Sequence, residues 1–131
     1  MKLISAKAKW LCLLLCATFS LAGCAGSAGH GFSSFLSRLQ EGDQHVGWAL
    51  TYYESWRRDS EPRYLLLAED HIMTAVDEFA SLQSDTSPRI NEFYVVRERR
   101  VRSCRLLAEL QFEAINHGYA LQSGPAAGCL F

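Results

Sequence analysis

The sequence has no lysine after Lys9 and no acidic residue before Glu41. Past Phe32 it also has no strand-like alternation and no hairpin turn signal, which argues against a sheet or barrel. Several catalytic signatures are missing as well. There is no Gly-x-Ser-x-Gly elbow and no phosphate-cradling glycine loop. No two of the four histidines stand at helical i, i+3 or i, i+4 spacing, so no helix offers an imidazole pair to a metal. Glu41–His45 and Glu113–His117 do have i, i+4 spacing, but such pairs are common on solvated faces. Asp77 and Glu78 are adjacent, so on a helix they diverge by about 100° and form no catalytic couple. A non-enzymatic chain with no cofactor and no small-molecule substrate is the expectation.

The 131 residues are enough for one domain. All three lysines precede residue 10. Without the first 23 residues, ten arginines face fourteen acids, a net charge of −4. A net-acidic chain lacks the basic face that nucleic acid requires, so nucleic acid is not an expected partner.

Residues 1–23 have the layout of a secretory signal. Lys2, Lys7 and Lys9 make a positive start, and Trp10–Leu21 is an uncharged apolar run of about a dozen residues. That run is too short for a membrane span of about 20 residues. Cys12 and Cys16 sit in it as small apolar residues. It ends at Leu21-Ala22-Gly23-Cys24, which resembles the lipobox of bacterial lipoproteins. In that class a diacylglycerol is attached to the cysteine thiol, signal peptidase II cuts before the cysteine, and the new amino terminus is usually acylated. The resemblance therefore implies lipid on Cys24 and attachment to a membrane. Two or three acyl chains give stable anchoring, since each buried CH₂ contributes roughly 0.8 kcal/mol. In enteric-type members aspartate after the cysteine favours the inner membrane. Ala25 points instead to the outer membrane, with the domain on its periplasmic face.

Residues 24–31 read as the lipidated terminus and a small, flexible tether. Residues 32–131 read as a helical domain. Ser33 or Ser34 can cap a first helix carrying Phe35, Leu39, Val46, Ala49, Tyr53 and Trp56 at three-, four- and seven-residue spacing. Gly42-Asp43 interrupts it and can split it in two. Ser60-Glu61-Pro62 restarts the chain, with serine as cap and proline in the first turn. Leu65, Ile72 and Phe79, together with Ala68, Ala75 and Leu82, form an a/d-like seam to about Leu82. Ser84–Pro88 is a second restart. A third helix then runs to His117 and stops at Gly118. Its expected seam is Tyr94, Val101, Ala108 and Ile115, widened by Phe93, Leu107, Leu110 and Phe112. Short turns between long helices predict an all-α antiparallel bundle of three to four helices. Tetratricopeptide spacing around Trp48 is not met.

After cleavage only Cys104 and Cys129 are free of lipid. An even pair in the oxidising periplasm suggests a disulfide. From Cys104 to Gly118 a helix climbs about 21 Å, and the eleven residues to Cys129 can span up to ~36 Å. The tail can therefore fold back and bring the two cysteines together. Two features are candidate partner surfaces. Trp48, Tyr52 and Trp56 recur every four residues, and either their row or the Tyr53 face can be core. The arginines 97, 99, 100, 102 and 105 surround their helix. Arg97 and Arg100 are candidates for an acidic partner, while others can pair with Glu69, Asp70, Asp77 or Glu78.

The expected function is a lipid-anchored protein that binds another envelope protein, such as an assembly or stability factor. In lipobox, size and helix content the chain is similar in plan to the pilotins of secretion systems, small helical lipoproteins that carry a client to the outer membrane. No pilotin residue motif is matched, so no binding residue follows from that likeness. An immunity or entry-exclusion lipoprotein, which blocks an incoming protein, is the alternative.

Overall fold

The computed structural model describes residues 26–86, 89–121 and 127–129. The signal segment 1–23 and the lipobox residues Leu21, Ala22, Gly23 and Cys24 lie outside the described residues. The described elements are α1 (Gly26–Asp59), α2 (Pro62–Thr86), α3 (Ile90–Asn116) and a 3-10 turn at Ala127–Cys129. The fold is all-α with three long helices, and no strand occurs among the described residues.

Two units divide the chain, Met1–Phe35 and Leu36–Phe131. In the first, residues 26–35 are already helical, where the composition suggested a flexible tether as far as Gly31. Extending an existing helix adds one hydrogen bond per residue without a new nucleus. Ser34 is consequently no cap, since its hydroxyl donates back to the carbonyl of Gly31 at 3.0 Å.

In the second unit α1 continues through Gly42 unbroken, so the four-helix alternative does not arise. The glycine serves packing: a Cβ there would lie 2.5 Å from Cε1 of Phe79, so its absence lets the α2 ring press against the α1 backbone. Contacts along the helices give their directions. Arg38 reaches Ser81 and Asp85, Gly42 meets Phe79, and His45 meets His71, so α2 runs opposite to α1. Asp43 meets Arg99 and Tyr53 meets Glu109, so α3 runs with α1 in an up-down-up order.

The connection between α1 and α2 differs from expectation in one respect. Ser60 closes the first helix and does not cap the second. Its N–H donates to the carbonyl of Trp56 at 2.7 Å, and its φ of 55° lies in the left-handed region. The reversal has only Ser60 and Glu61 between the helices, and the left-handed conformation at Ser60 costs a non-glycine residue roughly 1–2 kcal/mol. Pro62 then starts α2, as the sequence indicated.

The α2 seam is as expected, with Leu65, Ala68, Ile72, Ala75, Phe79 and Leu82 all buried. Burying each large member contributes roughly 1.5–3 kcal/mol. The end of α3 is also as expected. Gly118 has a φ of 72°, Tyr119 N–H donates to Ala114, and Gly118 N–H to Ile115, which together satisfy the last carbonyls in a Schellman arrangement.

Against α2 the third helix presents Val96, Ser103, Leu107, Leu110 and Ala114, not the predicted row. Leu107 and Leu110 were placed correctly. Tyr94, Phe112 and Ile115 are 59%, 63% and 74% exposed, and Ala108 is exposed too. At about 100° per residue the buried row lies nearly opposite the predicted one. The polar residues on the buried row have definite partners. Ser103 Oγ donates to Arg99 O, and Arg99 Nε to Asp43 at 2.8 Å. Arg100 donates to Gln83 Oε1 at 2.9 Å and to Gly128 O.

Among the described residues the tail is held at Gly128 and Cys129. Cys104 and Cys129 form a disulfide, with Cα atoms 5.7 Å apart. Arg100 holds the carbonyl of Gly128. Gly128 also lies so close to α2 that a Cβ would fall 2.6 Å from Cγ1 of Val76.

Candidate functional site

The Trp48–Tyr52–Trp56 row is divided between core and surface. Trp56 is 6% exposed, its ring parallel to Tyr53 with centroids 5.8 Å apart and its edge against His117 at 5.0 Å. It is therefore a core residue. The Tyr53 hydroxyl beside it donates to Glu109 Oε1 at 2.9 Å. Burial, then that hydrogen bond, then the nearby carboxylate charges push the Tyr53 phenol up to about 12.

Trp48 and Tyr52 belong to a different cluster, at the α1–α2 interface. His45 and His71 meet with their Nδ1 atoms 3.0 Å apart. Tyr52 stacks flat on His71 at 5.6 Å and on Tyr64 at 6.3 Å, and Trp48 lies against both imidazoles at 5.1 Å. The histidine contact needs a proton on one Nδ1 and a lone pair on the other. Among the described residues no group of three or more His, Cys, Asp or Glu could hold a metal ion. The two imidazoles act on each other and tie α1 to α2. Sequence spacing along one helix could not reveal this pair. The available signal was position, since the two lie fifteen and eleven residues on either side of Ser60.

The arginines separate in a similar way. Arg100 is half-buried and holds Gln83 and Gly128, so it is structural and not a surface anchor. The acids that pair with arginine also differ in part from those anticipated. Arg99 takes Asp43, Arg102 takes Glu98, and Arg38 takes Asp85 at 2.7 Å with Glu78 at 3.8 Å. Arg97 is exposed, as is Arg105, and neither has an ionic or hydrogen-bonding partner among the described residues.

Arg97 and Arg105 flank the outward row of α3. Tyr94, Val101, Ala108 and Ile115 repeat every seven residues along it, and Phe112 adds to it. A shallow hollow of about 410 Å³ opens beside Tyr94 and Val101, bordered by Arg97, Glu98, Arg102 and Arg105. A second groove, of about 230 Å³, lies between α1 and α3 at Asp43, Val46 and Arg99. Asp43 and Arg99 pair across it, and Glu98 and Arg102 pair along α3. The outer face of α3 therefore combines exposed apolar side chains with two arginines that have no ionic partner among the described residues. No family model matches this chain, and neither any curated protein nor any solved structure shows significant similarity to it.

Proposed function

We propose that this chain is a non-enzymatic lipoprotein of the bacterial envelope, anchored through Cys24 at the periplasmic face of the outer membrane, and that its helical domain binds another envelope protein. The observation that carries the binding role is the outer face of α3, where Tyr94, Ala108, Phe112 and Ile115 are exposed and Val101 is half-buried. Two further features support the setting. Leu21-Ala22-Gly23-Cys24 has the residues that lipid transfer and cleavage need. The Cys104–Cys129 bond suits an oxidising compartment.

Both halves of the proposal can be tested in cells. Radiolabelled palmitate should enter the wild-type chain and not the Cys24→Ala chain; equal labelling of both would exclude the anchor. A photo-reactive residue at position 112 should crosslink one envelope protein that a probe at Arg63, exposed on α2, does not reach. Identical crosslinks from both positions, or none from position 112, would exclude α3 as the binding face.

A further inference from the structure

The outer face of α3 also restricts the chemistry of its partner, on the premise that this face is the binding surface. The geometry points to an acidic amphipathic helix of another protein, lying along α3 and following its seven-residue row.

The first argument is period. Tyr94, Val101, Ala108 and Ile115 are spaced strictly by seven. A straight α-helix drifts about 20° per heptad from such a row, and a second helix winding left-handedly follows that drift. From 94 to 115 the row extends about 32 Å, and the positions three residues on are Arg97, the bridged Cys104 and Gln111, so a partner helix would follow one apolar column and not a full a/d seam. A flat membrane surface has no use for a seven-residue register.

The second argument is charge. Although the chain beyond residue 23 is net acidic, Arg97 and Arg105 beside the row have no ionic partner among the described residues, and Arg102 is already neutralised by Glu98. A partner with glutamate or aspartate flanking its apolar seam would meet both arginines. Rim charges of this kind steer association and select the partner more than they add affinity.

The same charges disfavour a second copy. Antiparallel pairing that sets Tyr94 against Ile115 brings Arg105 next to its own counterpart, and parallel pairing in register does so for Arg97 as well as Arg105. Like charges in such a contact oppose assembly.

The test uses the full chain purified in detergent and two labelled synthetic peptides of about four heptads. Both carry leucine at the a and d positions, one with glutamate and the other with lysine at e and g. Fluorescence anisotropy should show the glutamate peptide binding at least tenfold more tightly. Arg97→Glu with Arg105→Glu should reverse that preference. Phe112→Ser with Ile115→Ser should weaken the glutamate peptide at least tenfold without lowering the melting temperature. The assignment is overturned if the two peptides bind alike, or if the serine variant binds like wild type. It also falls if the serine variant melts several degrees lower, because this chain's own residues would then cover the row. Loss of dimerisation in that variant would identify a second copy as occupant. Dependence of anionic phosphatidylglycerol vesicle binding on the same residues, with no peptide preference, would identify the membrane. A crosslink to an envelope protein from position 112 combined with indifference to peptide charge would retain the proposed function and remove only the acidic helix.

Discussion

The two faces of α3 have opposite character. The inner face carries Ser103 and the long arginines 99 and 100 among its apolar residues, yet it packs on the core. The outer face carries an uninterrupted heptad row of apolar residues, yet Phe112 and Ile115 stand largely in solvent. Apolar regularity alone therefore does not decide burial. A face with polar groups can be buried when each group meets a specific partner, because the cost of desolvating it is then offset. On the proposed function, a face that is apolar and still exposed is where a second surface outside the fold would dock.

The contrast can be challenged by substitution, beginning with the largest effect. Phe79→Ala, at the fully buried contact with Gly42, should cost about 3–5 kcal/mol in urea unfolding. A cost below about 1 kcal/mol would mean that the α1–α2–α3 core is loose. Breaking the disulfide with Cys104→Ser and Cys129→Ser closes no loop across its separation of 25 residues and should cost roughly 3–4 kcal/mol. Gly42→Ala should cost about 1–3 kcal/mol, because the added methyl must displace the Phe79 ring. An unchanged midpoint would show that α1 can retreat freely.

The Tyr53 phenol gives a pH-dependent test of the inner packing. Its folded value is raised from 10 to about 12, so the folded state holds this proton more tightly. The resulting stabilisation is complete below pH 10 and is lost as pH rises through about 12. Tyr53→Phe should flatten the alkaline limb of the unfolding curve. The smallest effect is expected outside: Phe112→Ser should change stability by less than about 0.5 kcal/mol. A larger loss would place that residue in the fold and erase the contrast between the faces.

How much of this could be read in the sequence depended on where the deciding partner lay. The α2 seam was legible because its burial follows from its own spacing, and Pro62 and Gly118 marked helix boundaries by local backbone preference. The fold-back of the tail to Cys104 was suggested by the even cysteine pair and permitted by chain length. The rotation of α3 was not, because Arg99 and Arg100 look like surface residues until Asp43, Gln83 and Gly128 are in place. Gly42 looked like a helix break for the same reason, since its role depends on a ring 37 residues away. The aromatic row from Trp48 to Trp56 followed one spacing but divided between two environments, which only the neighbouring helices could decide.

The covalent link between α3 and the tail makes the state of this molecule depend on where it resides. In a thiol-rich cytosol that link would be open, and among the described residues the Arg100 guanidinium and the Val76 side chain, both against Gly128, would still touch the last turn. On the proposed export route, oxidation beyond the inner membrane closes this bond, and a chain held back before translocation would keep a carboxyl end more open to proteases than a delivered one. Durability of the protein would then record export.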